Sequence, residues 1–130
     1  MELDHLGIAV KDLRAALAKW EPLLGPGSPR ELVPSNRVWV SFLGSAGAHL
    51  ELLEPSEPDS PIAKFLASRG EGLHHVAFHV PSVDDALAEV ERRGERVVDR
   101  TGRPGARGRR VGFAHPSAFG GTLVEFVEGP

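Results

Sequence analysis

Leu3-Asp4-His5-Leu6-Gly7-Ile8-Ala9-Val10 is answered later in the chain by Leu73-His74-His75-Val76-Ala77-Phe78-His79-Val80. Both stretches are short, apolar and bounded by turn or helix-start residues, so both read as strands. Each sets a histidine two residues before a small residue: His5 before Gly7, and His75 before Ala77. Side chains alternate across a strand, so each such pair shares a face. A histidine at the same point of two matching strands marks an internal repeat, and a repeat bears on the whole fold.

Working outward, the next segments match as well. Lys11–Trp20 and Ser82–Val90 both read as helices. Leu13, Leu17 and Trp20 line one side of the first; Val83, Leu87 and Val90 line one side of the second. Ser82 is suited to cap the second helix at its start, and Gly94 to stop it. Two strands then close each unit. They are Arg37–Leu43 and Ala48–Leu53 in the first, and Arg110–Ala114 and Thr122–Val127 in the second. Glycine-rich turns separate them, at Gly44–Gly47 and Gly120–Gly121. Leu-Glu-Leu-Leu-Glu at Leu50–Glu54 matches Val-Glu-Phe-Val-Glu at Val124–Glu128.

The spacings agree. His75 follows His5 by 70 residues (75 − 5), and Glu125 follows Glu51 by 74 (125 − 51). A small difference in loop length accounts for the mismatch. The units occupy about residues 1–55 and 72–130 of a single domain, 1–130. Their helical linker, 56–71, contains Ser60-Pro61-Ile62-Ala63-Lys64-Phe65-Leu66, with Ser60 as cap and Pro61 in the first turn.

A chain of 130 residues, 41% hydrophobic and 25% charged, suits one globular core. The net charge of -3 argues against a general nucleic-acid binder, which is usually strongly basic. No apolar run is long enough to span a bilayer, so no membrane partner is expected. No basic-then-apolar leader is visible at Met1–His5, so the cytoplasm is the expected location. The chain has no cysteine, so any metal must be held by nitrogen and oxygen donors.

Glu51 lies between Leu50 and Leu52, and Glu125 between Val124 and Phe126. A carboxylate buried alone in an apolar strand is costly. Two at equivalent repeat positions, beside two equivalent histidines, point to a metal site made of His5, Glu51, His75 and Glu125. Two imidazoles and two carboxylates suit Co, Ni, Zn, Mn or Fe and leave positions open for substrate. His74 is the rival to His75, but it shares its face with Val76, Phe78 and Val80, an apolar set that reads as core. His49 shares the face of Glu51 and either lines the site or is exposed. His79 reads as a surface residue, and His115 as part of a turn before the last strand. Arg100, Arg103, Arg107, Arg109 and Arg110 crowd the loop Arg100–Arg110. A solvated loop is the preferred reading there over a phosphate clamp.

At these residues the chain resembles the vicinal oxygen chelate superfamily of glyoxalase I, extradiol dioxygenases and fosfomycin-resistance proteins. Within it the chain is most similar to the methylmalonyl-CoA epimerases. The stretches that carry this are Asp4–Val10, Glu51–Pro55, Asp59–Leu66, Gly70–Phe78, Arg103–Gly108 and His115–Glu125. The resemblance implies an α+β fold: two tandem βαβββ modules forming a cupped mixed sheet around a metal. It places ligands at His5, Glu51, His75 and Glu125.

The resemblance also implies the chemistry: a divalent metal (Co, Ni, Zn or Mn), an acyl-CoA substrate and, as in many relatives, a homodimer. Glu125 is the expected base. Some relatives take the opposing group from the strand equivalent to Val38–Leu43, which here has no carboxylate. That leaves Glu51, His49 or a water as its partner. Pro34-Ser35-Asn36-Arg37, and Ser117-Ala118-Phe119 after His115-Pro116, also depart from the epimerase pattern. A glyoxalase I acting on a glutathione hemithioacetal is the nearest rival, and a metal-free small-molecule binder is the rival from another class.

Overall fold

In a computed structural model the described residues are 1–129 except 45, 46 and 48. The glycine-rich turn Gly44–Gly47 and the start of a strand at Ala48 therefore fall partly outside them. By packing, the chain divides into two compact units, His5–His74 and Met1–Asp4 with His75–Pro130.

The first half of the chain runs β1 (Glu2–Ala9), α1 (Leu13–Leu24), β2 (Glu31–Val33), β3 (Val38–Leu43), β4 (His49–Pro55) and α2 (Pro61–Arg69). The second runs β5 (Gly72–His79), α3 (Val83–Arg92), β6 (Arg103–Pro104), β7 (Arg110–Ala114) and β8 (Val124–Glu128). Apart from the linker helix α2, each half has the order βαβββ. The strand order is β2-β3-β4-β1 in the first half and β5-β8-β7-β6 in the second. In each, the outer pairs are antiparallel and the pair that includes the histidine strand is parallel. A parallel pair needs a crossover, and α1 and α3 lie on those crossovers.

The helices form where the apolar stripes were read, but their ends differ. Asp12, not Lys11, starts α1: its carboxylate accepts from Ala15 N at 3.1 Å. The helix continues to Leu24 through Pro22, past the expected end at Trp20. Ser82 caps α3 through Asp85 N, and Asp84 and Asp85 in its first turn oppose the positive helix end. Val83, Leu87 and Val90 are buried and pack with Val80, Ala114, Val124 and Phe126. Gly112 permits this: a β-carbon there would lie 2.8 Å from Leu87 Cδ1 and 2.9 Å from Val83 Cγ1. Leu13 and Ala16 of α1 pack likewise with Val10, Leu43 and Leu52. Ser60 caps α2 as expected, with Pro61 in its first turn.

Direct reading of the residues missed β2 and β6, of three and two residues. Strands that short carry no alternation to detect. No helix among the described residues is long and apolar enough to cross a membrane.

Candidate metal centre

Along β1 the buried side chains are His5, Gly7 and Ala9, and along β5 they include His75 and Ala77. The sheet register then brings a carboxylate to each histidine. Gly7 is opposite Glu51 on one side, and Phe42 is opposite Glu51 on the other. Ala77 and Phe113 flank Glu125 in the same way. Residues opposite one another share a face, so each glutamate sits between a small residue and a phenylalanine. The small residue leaves room for the carboxylate to lean toward the histidine two positions back. This accounts for the His-x-small pattern in both strands.

The outcome is two buried pairs of the same construction. His5 Nε2 lies 3.3 Å from Glu51 Oε1, with side-chain exposures of 5% and 8%. His75 Nε2 lies 3.1 Å from Glu125 Oε1, with exposures of 2% and 7%. In each, the phenylalanine opposite the glutamate packs edge to face with the histidine. Phe42 is 5.8 Å from His5 at 89°, and Phe113 is 5.5 Å from His75 at 87°. Burying a carboxylate alone would cost several kcal/mol, so both pairs need a reason beyond packing. Each unit thus sets one imidazole nitrogen beside one carboxylate oxygen out of water, donors of the kind that hold a metal ion.

The sequence matches the glyoxalase/bleomycin resistance protein/dioxygenase superfamily over residues 4–113. An ethylmalonyl-CoA/methylmalonyl-CoA epimerase of Cereibacter sphaeroides is 39% identical, covering 97% of this chain and 96% of the relative. The mitochondrial methylmalonyl-CoA epimerase of Bos taurus is 38% identical, covering 97% of this chain and 73% of the relative. The solved structure of Streptomyces coelicolor methylmalonyl-CoA epimerase in complex with 2-nitronate-propionyl-CoA is 34% identical. It matches with a TM-score of 0.92, over 99% of this chain and 94% of that one. The chain belongs to the methylmalonyl-CoA epimerase family of this superfamily.

The chain's other histidines pack on neighbours, fix turns or lie near the surface. His74 packs edge to face on Phe65 of α2, at 5.0 Å and 83°. The structure therefore sets His75, not His74, against a buried glutamate. The face of His74 is only partly covered: Val76 and Phe78 are half-buried and Val80 alone is buried. His49 is half-buried and stands opposite His5 in the register. His79 is exposed and bonds Gly129 O at 3.0 Å. His115 Nδ1 accepts from Ser117 N and fixes the turn before β8.

Two further glutamates had no role in the sequence reading. Glu54 Oε1 accepts from Leu13 N at 2.6 Å, and Glu128 Oε2 from Val83 N at 2.5 Å. Each binds the first helical N–H of its own module's crossover helix, where backbone donors lack partners. The spacing of three between Glu51 and Glu54, and between Glu125 and Glu128, was the available signal. The first glutamate faces the histidine and the second holds the helix.

The Arg100–Arg110 loop is tied down by ion pairs. Arg110 forks onto both oxygens of Asp84 at 2.8 and 2.9 Å. Arg109, 8% exposed, pairs with Asp4. Arg103 pairs with Asp99 at 3.0 Å. Three of the five arginines are thus held by carboxylates. The bond from Gly102 N to Asp84, with Arg110 behind it, keeps the Asp84 carboxyl below the usual range.

Proposed function

We propose that this chain is a divalent-metal-dependent methylmalonyl-CoA epimerase that inverts the α-carbon of a methylmalonyl thioester by 1,1-proton transfer through an enolate. One observation carries the reading. A buried His–Glu pair recurs at the same register position of both modules, in a chain related to epimerases along nearly all its length.

The donor set fits a divalent ion. Two donors at neighbouring coordination positions, each about 2.0–2.2 Å from an ion such as zinc, lie about 2.8–3.6 Å apart between octahedral and tetrahedral angles. The His–Glu separations of 3.3 and 3.1 Å fall in that interval. His5, Glu51, His75 and Glu125 would together hold one ion (Co, Ni, Zn or Mn) with positions left for two substrate oxygens. Bound there, the ion would act as a Lewis acid on the carboxylate and thioester oxygens and lower the cost of the enolate.

The chain's own residues move the proton. Glu125 takes the α-proton as general base, and Glu51 returns one to the opposite face, so that no net proton is lost. β3, with the sequence Val-Trp-Val-Ser-Phe-Leu, has no carboxylate to offer. The repeat itself supplies the second: Glu51 is 6% exposed and Glu125 is 5% exposed, an alike pair suited to a reaction whose two directions are alike. A homodimer is the proposed working form. Leu3 and Leu73, at equivalent repeat positions, are 42% and 58% exposed and would be covered by a second copy.

The test is deuterium incorporation at the α-carbon of methylmalonyl-CoA in heavy water, before chelation, after it, and after metal is added back. Exchange should vanish on chelation and return with the ion. Turnover of the glutathione hemithioacetal with no exchange on methylmalonyl-CoA would move the chain to a glyoxalase reading. No turnover of either, with no metal in the gently purified protein, would make it a binding protein.

A further inference from the structure

The two half-sites are built alike as far as the phenylalanine and differ beyond it. In the first, Phe42 N–H donates to Ser28 Oγ at 2.9 Å, and Ser28 N–H donates to Phe42 O at 2.8 Å. In the second, Phe113 N–H donates to Asp99 Oδ2 at 2.8 Å, and Asp99 N–H donates to Phe113 O at 3.2 Å. Ser28 and Asp99 therefore hold the same place, one neutral and the other charged. The charge brings a partner. Asp99 Oδ1 accepts from Arg103 Nε at 3.0 Å, and the Arg103 guanidinium sits 5.4 Å from the centre of the Phe113 ring. Phe113 in turn packs against the His75 imidazole.

We infer that Arg103, held by Asp99, is a positioning residue for His75. It fixes the Phe113 ring from one side so that the ring fixes the imidazole on the other. A guanidinium over an aromatic face is attracted by the ring's electrons. Its second anchor is the carboxylate that also fixes the Phe113 backbone, so ring and cation are held by one group. Arg103 is 25% exposed and Asp99 15% on their side chains, so the pair is partly shielded from water and salt. The orientation of a ligand histidine is commonly set by the groups around it, and losing a hydrogen-bonding partner of that kind costs about 10–100-fold in metal affinity, so a contact through a ring belongs at the low end. In the first half-site the group at this place is the Ser28 hydroxyl.

This inference rests on the metal reading above, so its experiment has one arm with metal and one without. Arg103→Met keeps the side chain's length and removes the charge; Arg103→Lys keeps the charge and loses the planar fork; Ser28→Ala is the matched change in the first module. In metal-free protein, the His75 ring resonances should shift and broaden in Arg103→Met, while those of His5 stay in place. In a competition titration with Co(II), affinity should fall about tenfold in Arg103→Met, less in Arg103→Lys, and less than about threefold in Ser28→Ala. The Co(II) absorption bands should change in Arg103→Met alone. Unchanged His75 resonances would overturn the inference, as would equal losses in Arg103→Met and Ser28→Ala. Absence of Co(II) binding by the unaltered protein would overturn the metal reading, while the metal-free resonances would still decide the role of Arg103. A lower melting temperature for Arg103→Met with unmoved resonances and affinity would show Arg103 to be merely structural.

Discussion

The module that begins at β1 and the one that begins at β5 solve the same problem with different amounts of charge. Each has a histidine, a small residue two places on, a glutamate opposite that small residue, and a phenylalanine on the far side. Each uses a second glutamate to hold its crossover helix. The first module supports its phenylalanine with a serine, and the second with an aspartate and an arginine. The second also ties its Arg-rich loop to α3 through Asp84, and Arg109 of that loop pairs with Asp4 in the same compact unit. The difference teaches that the two units share their His–Glu pairs and helix anchors and differ in the groups behind the phenylalanine.

The comparison can be broken most severely at the two buried glutamates. Glu125→Gln should lower kcat about 10²- to 10⁴-fold, the contribution of a positioned acid or base, and Glu51→Gln should do the same in a symmetric proton transfer. Steady-state rates in both directions check this. A loss confined to Glu125→Gln would assign the second proton to His49 or to water.

Next come the phenylalanines. Phe42 and Phe113 are each 6% exposed, so Phe→Ala at either should cost about 3–5 kcal/mol of stability. Phe113→Ala should be the more damaging, because it also strips Arg103 of its ring. Urea denaturation of both variants tests the order.

A smaller effect is expected at the helix anchors. Glu54→Gln and Glu128→Gln each remove a charged acceptor from a helix start, worth roughly 1 kcal/mol. Equal losses in thermal melts would confirm that the two anchors are equivalent.

The smallest effect concerns acid. The Asp84 carboxyl is held below its ordinary value by Gly102 N–H and Arg110. Its contribution is therefore complete above the ordinary carboxylate range and is lost as pH falls through that range to the lowered value. Melting temperatures of the unaltered protein and Asp84→Asn should differ slightly at neutral pH and converge in acid. A gap that widens in acid would contradict the assignment.

Much of this was legible in the chain because it is written twice. The spacing of His5 and Gly7 against His75 and Ala77, with Glu51 and Glu125 in the closing strands, picks out the residues of the two buried pairs. Alternation, a local property of extended backbone, separated His75 from His74. What stayed hidden lacked either length or periodicity. β2 and β6 are too short to show alternation. The helix ends at Asp12 and Leu24 depend on which N–H groups find acceptors. The roles of Glu54 and Glu128 depend on the strand that returns beside the helix.

The sequence by itself determined that two like units exist, which strands hold the histidines and glutamates, and which helices cross between them. Repetition and side-chain period are properties of neighbours along the chain. Only the tertiary structure decided that Gly7 and Ala77 stand opposite the glutamates and that the arginines of the Arg100–Arg110 loop are held by Asp84, Asp99 and Asp4. Only there does Arg103 reach the ring that touches His75. Apart from Arg103–Asp99, four residues apart, those contacts join residues far apart in the chain, and the way the strands pair sets them, not composition. Moving a register by one residue would turn every one of those side chains to the other face.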